Sequence, residues 1–325
     1  MEQMALGTSG RHTTRLGFGC SSLMGAMGRR DSLRLLEAAY DAGIRHFDVA
    51  PMYGYGEAES CLGQFLLRHR DQVTITTKYG IPPAKNSALI KAGRRLAAPV
   101  IQQIPSLKQR IARTVNAVVR NDEPPTFTAA QAKASLDRSL ASLGTDRIDL
   151  WLLHEVTAHN LEDDNLLRLL EDLVQLGTIG SFGIGSSADK IPDLLTERPA
   201  YCRALQYEWS ILDPPIPTSK PFRIHHRAFS DNLRALHAAM IKDQSLCQRW
   251  SLSTNADLSH SETLANLMLK AALAANPSSI ILFSSKNPRH IQANVNTAAD
   301  TALDQPARQL YKLVQSERDQ LINIT

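Results

Sequence analysis

Eight short apolar runs rich in β-branched and aromatic residues recur along the chain, with helical patterns between them. The runs are Arg15 to Cys20, His46 to Ala50, Val73 to Lys78, Ile148 to His154, Ser181 to Gly185, Ala204 to Glu208, Phe222 to Phe229 and Ile280 to Ser284. Strands that alternate with helices pair in parallel, because a parallel neighbour is reached only through a crossover. With eight such units in 325 residues, the expected closure is a (β/α)8 TIM barrel forming a single domain over residues 1–325. A doubly wound open sheet is the alternative. No G-x-G-x-x-G joins the first strand to a helix, which weakens it.

The helices between the runs have readable ends. Asp31 is placed to cap a helix with Leu33, Leu36 and Tyr40 on its apolar face, and Gly43 follows it. Thr128 and Gln131 form a capping-box pair ahead of Leu136, Leu140 and Leu143, with Gly144 as the stop. Leu166, Leu169, Leu173 and Leu176 make a third stripe that Gly177 closes. One connection is abnormally long. Residues 79–127 separate the third strand from the next helix, and they carry six prolines. Within them Ile104, Leu107, Ile111, Val115 and Val118 recur at helical spacing, which predicts an amphipathic helix lying as a lid over the strand ends.

The net charge is +4 (36 basic residues against 32 acidic), too small to suggest a nucleic-acid partner. Lys85, Lys91, Arg94, Arg95, Lys108, Arg110, Arg113 and Arg120 all fall in the long connection, which has no acid between residues 84 and 120. A solvated basic face on a lid explains this run more simply than a polyanion or membrane surface does. No stretch is long and apolar enough to suggest a membrane span, and Met1 to Arg11 lacks the apolar centre of an export signal. Four scattered cysteines, with no C-x-x-C pair, suggest reduced thiols in a cytoplasmic protein and no metal site.

Barrels carry function at the C-terminal ends of their strands. Four polar residues stand there: Asp48, with Tyr53 five residues on, then Lys78 and His154. Singly, each has a structural explanation as a cap, a turn residue or a satisfied buried group. Together they match the needs of carbonyl reduction. A phenol is a weak acid at neutral pH, and an adjacent ammonium eases its proton transfer. A carboxylate keeps that ammonium charged, and a histidine orients the carbonyl. Tyr53 is then the acid, Lys78 its tuner, Asp48 the anchor and His154 the positioner.

The stretch AGIRHFDVAPMYGYGEAESCLGQF, residues 42–65, resembles the signature of the aldo-keto reductase family. The resemblance continues in order through ITTKYG (75–80), SLDRSLASLGTDRIDLWLLH (135–154), GTIGSFGIGSS (177–187), LQYEWSIL (205–212) and FSSKNPRHIQANV (283–295). The segments FGCSSLMG (18–25) and SSKNPRH (284–290) are most similar to a bacterial branch that includes sugar dehydrogenases and general reductases. The resemblance implies a nicotinamide cofactor, NADP ahead of NAD, and a small carbonyl or sugar substrate. It also implies the tetrad Asp48, Tyr53, Lys78 and His154.

For the cofactor the resemblance implies Gln206 and Ser186 at the carboxamide, with Gly185 and Ser186 where a Ser-Asn pair is usual. It implies Phe229 as the ring against the nicotinamide, and Ser285, Lys286, His290 and Asn294 around the adenosine phosphate. His290 stands where many NADP-binding members have Arg. The usual segment after the seventh strand is replaced by AFSDNLRALHAAM, residues 228–240. Some members of the family bind cofactor as regulatory subunits with little turnover, which is the alternative to an enzyme.

Overall fold

The structure is a computed structural model. It describes residues 1–25, 27–83, 126–214, 221–228, 230–318 and 321. The expected insertion helix at 104–118, the basic run and Phe229 therefore lie outside the described residues.

All eight expected strands form one closed barrel. They are β3 (Leu16–Gly19), β4 (His46–Asp48), β5 (Thr74–Tyr79), β6 (Ile148–His154), β7 (Ile179–Gly185), β8 (Ala204–Glu208), β9 (Phe222–His226) and β10 (Ser279–Phe283). They pair in that order, and β10 closes on β3. Every pairing is parallel. This is the (β/α)8 fold. Strands covered on both faces lose the polar–apolar alternation of an exposed sheet, so β5 (TITTKY) is buried throughout and relies on β-branched threonines.

The helices pack outside this ring. The α1 helix (Arg29–Asp41), α2 (Ala58–His69), α3 (Ala129–Leu143), α4 (Asp164–Gln175) and α5 (Ile191–Glu197) follow β3 to β7. The third helix begins and ends as its sequence suggests. Thr128 accepts a bond from the Gln131 backbone N–H, and Gly144 stops the helix with φ 60°. Two expectations are corrected. Gly28 occupies the cap position of α1, and Asp31 lies inside its first turn. The face it buries runs through Ser32, Leu35, Leu36 and Ala39. In α4 the buried stripe is Leu166, Leu170 and Leu173, and Leu176 is 77% exposed. That stripe follows the 3.6-residue period of a straight helix, which a strict i, i+3 reading drifts away from.

Beyond β9 the chain forms α6 (Ser230–Lys242), α7 (Gln244–Thr254) and α8 (Ser261–Ala275), and after β10 come α9 (Pro288–Ala299) and α10 (Asp304–Ser316). Phe18, Phe47, Phe65 and Phe283 meet edge-on or tilted between sheet and helices. Burying a phenylalanine fully contributes about 1.5–3 kcal/mol, so this cluster is a main anchor of the β3–β4–α2 side. Cys20, Cys61, Cys202 and Cys247 are buried free thiols. No helix among the described residues is long and apolar enough to cross a membrane.

One element has no counterpart in the sequence reading. Strands β1 (Gln3–Ala5) and β2 (His12–Thr14) form an antiparallel hairpin. Its Leu6 packs with Leu150, Leu152, Ala204, Ile224, Ile280 and Leu282 inside the barrel. The hydroxyls of Thr8 and Ser181 meet at 2.9 Å. The hairpin therefore plugs the N-terminal end, leaving the C-terminal end as the open mouth.

Candidate active site

The last residues of β4, β5 and β6 bring three of the expected side chains to that mouth. Asp48 ends β4 and sits beside Thr76 of β5 in register. Lys78 lies one pleat further up β5. Both are 3% exposed, and the Lys78 ammonium donates to Asp48 Oδ1 at 2.6 Å and to the Val49 carbonyl at 3.2 Å. The other Asp48 oxygen accepts from the Gln206 amide at 2.7 Å, across the barrel from β8. Asp48 is thus held by a cation on one side and an amide on the other. Below it, His46 bridges Thr74 and Thr76, and burial pushes its imidazole down to about 4, so this layer is neutral.

Tyr53 comes from the turn after β4. The turn passes through Gly54 and Tyr55, both in the left-handed region (φ 57° and 58°). A Cβ on Gly54 would stand 2.5 Å from the Leu23 carbonyl oxygen, so glycine is required where this turn meets the loop after β3. The Lys78 ammonium lies 5.3 Å from the Tyr53 ring centroid. Its charge is the strongest influence on the phenol and pulls its pKa down, but burial and the Asp48 carboxylate push it up, and the net shift is upward. The ammonium therefore acts on the phenol in the direction expected of it, but burial and the Asp48 charge together outweigh its pull. Lys78 itself is raised, because Asp48 and Tyr53 together outweigh its burial.

His154 ends β6. Burial pushes it down to about 3, with the Lys78 charge acting in the same direction, so the ring is neutral. Its Nδ1 is buried with no hydrogen-bond partner among the described residues.

Asp48, Tyr53, Lys78, His154, Ser186 and Gln206 line one cavity of about 290 Å³. The Ser186 hydroxyl donates to the Val156 carbonyl at 2.7 Å and keeps its lone pairs for a ligand. Gln206 Oε1 is buried and unpartnered among the described residues. Gly185 leaves the space beside that oxygen open, since a Cβ there would reach within 3.5 Å of it. An orphaned acceptor beside open space fits the N–H donors of a primary carboxamide.

The residues expected at the adenosine phosphate are not among those lining this cavity. Ser285 and Asn294 are half-buried, and Lys286 and His290 are exposed. They occupy the loop after β10 and the first turns of α9. Ser284 joins the two regions: it lines the cavity, and its hydroxyl donates to the Gly19 carbonyl at 2.7 Å.

A model described as the Aldo/keto reductase family matches residues 15–224. The chain belongs to this family. Among this aldo/keto reductase chain's relatives is a pyridoxal 4-dehydrogenase of Microbacterium luteolum, 32% identical over 228 residues, covering 65% of this chain and 64% of the relative. A D-threo-aldose 1-dehydrogenase of a Pseudomonas species is 33% identical over 199 residues, covering 59% and 55%. The chain thus matches less than two thirds of either relative's length. In fold it resembles an aldo-keto reductase from Bacillus halodurans in its holo form, with a TM-score of 0.68 and 21% identity over 95% of this chain and 96% of that one. It also resembles one from Klebsiella pneumoniae in complex with NADPH, with a TM-score of 0.58 and 18% identity over 94% and 93%.

The sequence reading missed part of this aldo/keto reductase's cavity wall. His226, Arg227 and Glu155 also line it. His226 ends β9 in register with Glu208 of β8, and Nε2 lies 4.0 Å from the Glu208 carboxylate. Burial pushes the His226 ring down, assisted by Lys78. Its signal was present in FRIHHRAF, where a polar residue interrupts an apolar run at the strand end. Glu155 and Arg227 both adopt left-handed backbone conformations (φ 57° and 60°), which the sequence does not announce because neither is glycine.

Proposed function

We propose that this chain is an NAD(P)-dependent oxidoreductase that interconverts a small polar aldehyde, ketone or sugar carbonyl with its alcohol. The observation that carries the proposal is the buried Lys78–Asp48 pair beside the Tyr53 phenol, in one cavity with a neutral His154 and the orphaned Gln206 oxygen. The names of the two relatives, which specify pyridoxal and an aldose, support a polar carbonyl substrate.

A bound nicotinamide dinucleotide supplies the hydride for reduction and takes it up for oxidation. The residues of the chain do the rest. Gln206 and Ser186 hold the carboxamide end, and Ser285, Lys286, His290 and Asn294 receive the adenosine phosphate, as NADP in preference to NAD. Tyr53, a phenol protonated at neutral pH, gives its proton to the carbonyl oxygen as the alcohol forms. Lys78 stabilises the phenolate left behind, and Asp48 keeps Lys78 charged and in place. His154, neutral at working pH, hydrogen-bonds the carbonyl and orients it without adding charge. On this reading the chain works as one barrel domain in the cytoplasm; the lid expected within 79–127 falls mostly outside the described residues.

Fluorescence titration with NADPH and NADH, followed by a panel of sugars, aldehydes and ketones, tests the proposal. Cofactor binding with carbonyl turnover is expected. Binding without turnover on any substrate would replace it with the regulatory-subunit alternative.

A further inference from the structure

On the outer face of the barrel wall, in the helix layer, stands a buried carboxyl that the proposed chemistry does not use. Glu59 lies in the first turn of α2 and is 6% exposed. Its Oε1 accepts the Thr77 hydroxyl at 2.7 Å, and Ser139 of α3 donates to the same carboxyl. Successive side chains of a strand point to opposite faces, so Thr77 faces this helix layer while Lys78, next in the chain, faces the mouth.

Three elements meet at this one group: β5 carries Lys78, α2 follows the turn that carries Tyr53, and α3 supplies Ser139. Residues 53–56 form the turn that presents Tyr53, and α2 begins two residues later. That turn holds two residues in the left-handed region, and the Glu57 N–H closes it on the Gly54 carbonyl at 3.2 Å. A turn in this conformation persists only when its surroundings hold it. The first turn of α2 is its anchor, and the Glu59–Thr77 bond ties that anchor to the strand that carries Lys78.

We propose that Glu59 is a positioning residue: through Thr77 it sets the register between the Tyr53 turn and the Lys78 strand, and so the approach of ammonium to phenol. The proposal rests on the carbonyl-reductase reading for its kinetic consequence alone. The site is not a place where a carboxyl simply fills space. Burial works against its charge, pushing the acid upward while Thr77 and Ser139 pull it back. A cavity of about 160 Å³, lined by Glu59, Tyr79, Ser135, Arg138, Ser139 and Ser142 among the described residues, adjoins it. An apolar side chain would avoid the desolvation cost but would leave the Thr77 hydroxyl without its bond. The geometry recovered by the carboxyl is the α2–β5 register.

The test uses the full chain and reads two quantities. Glu59→Leu is expected to lower kcat by roughly ten- to a hundredfold, the scale of a misplaced reacting group, with cofactor Kd within about twofold. Glu59→Gln, which keeps an acceptor for Thr77, is expected to restore most of kcat. The second readout needs no substrate. The alkaline titration of Tyr53 is isolated by subtracting the ultraviolet titration of Tyr53→Phe, since the chain has seven tyrosines. In Glu59→Leu, Tyr53 is expected to titrate at higher pH, because the Lys78 charge no longer approaches it as closely. Thr77→Val removes the same bond from the strand side and should produce the same two changes. If Glu59→Leu does not fold, Thr77→Val decides alone. Parental turnover and a parental Tyr53 titration in a folded variant would overturn the proposal. A parent without turnover would defeat the carbonyl-reductase reading, while the Tyr53 titration would still decide the positioning role.

Discussion

The barrel buries a carboxylate–cation pair at each end, and the two pairs are built differently. At the floor, Asp149 lies 3.0 Å from the Arg70 guanidinium and 3.6 Å from Arg11 of the hairpin, and it accepts the Ile75 N–H at 2.8 Å. Arg70 also donates to Thr145 and to the carbonyls of Val73 and Arg147. At the mouth, Lys78 gives one hydrogen to Asp48 and one to Val49, and its third is left to the Tyr53 side. A guanidinium offers five donors in a fixed fork, which suits a site with several acceptors at fixed positions. An ammonium is a point charge whose pull on a neighbour depends on approach. The floor pair closes a structure, and the mouth pair keeps one interaction open for chemistry.

The largest expected effect isolates that open interaction. Tyr53→Phe removes one hydroxyl and should reduce carbonyl turnover by about 10²–10⁴-fold while cofactor affinity stays within a few-fold. Steady-state kinetics and cofactor fluorescence measure the two together. Retention of more than about a tenth of parental turnover would remove Tyr53 from its role as the acid.

Next comes the direct exchange between the ends. Lys78→Met leaves Asp48 without its cation, and breaking a buried pair in this way costs about 3–5 kcal/mol, whereas Arg70→Met leaves Asp149 with Arg11 at 3.6 Å and costs less. Denaturant unfolding should show both losses. Kinetics should separate them: Lys78→Met loses turnover and flattens the pH–rate profile, whereas folded Arg70→Met turns over as the parent does. Equal kinetic damage from both would show that the floor acts on the mouth through the strands.

A third buried group belongs to neither end. His225 of β9 faces outward against Tyr207 and Trp209, with ring centroids at 4.7 and 5.5 Å, and burial pushes it down to about 3. It is neutral in the folded chain and titrates near 6.5 when unfolded. The folded state therefore keeps its full stability above pH 6.5 and loses it as pH falls toward 3, because the unfolded chain takes up the proton first. The loss from this one ring is about 2 kcal/mol at pH 5. His154 and His46 add to it in the same direction. His225→Leu should flatten the stability–pH curve between pH 7 and 5 without moving the pH–rate profile; a curve as steep as the parent's would assign the acid sensitivity elsewhere.

The mouth was more legible in the sequence than the floor, for a physical reason. A polar residue that ends an apolar run is conspicuous, and Asp48, Lys78 and His154 all do so. Asp149 interrupts IDLWLLH near its start, where a single acid reads as a strand edge, and its partners come from a distant hairpin and from the end of α2. Three-residue strands such as QMA and HTT have too few positions to show a period, so the plug was invisible. Tyr53 was legible only through its neighbours: among the glycines of YGYG it reads as a turn residue, and its place five residues after Asp48 and the chemistry of the set singled it out. His226 was hidden because it and His225 are adjacent: one faces the cavity and the other the helix layer, and composition does not say which.

The smallest expected effect tests how far the mouth's chemistry extends from its buried pair. His290 lies on the first turns of α9, exposed and outside the cavity that holds Lys78. If the adenosine phosphate rests there, the site differs from the mouth in the same sense that the floor does: it needs a permanent, forked cation rather than a tunable one. His290→Arg supplies it. A charge-assisted contact to a 2′-phosphate should tighten NADPH binding about tenfold, a gain of roughly 1.4 kcal/mol, with little change for NADH, which lacks that phosphate. The exposure of the site limits the gain through solvent and salt screening, so the difference between the cofactors should shrink as ionic strength rises. Parallel fluorescence titrations of both cofactors at low and high salt measure it. A gain shared equally by NADPH and NADH would place the 2′-phosphate away from His290, and the cofactor path would then have to leave the mouth by another loop.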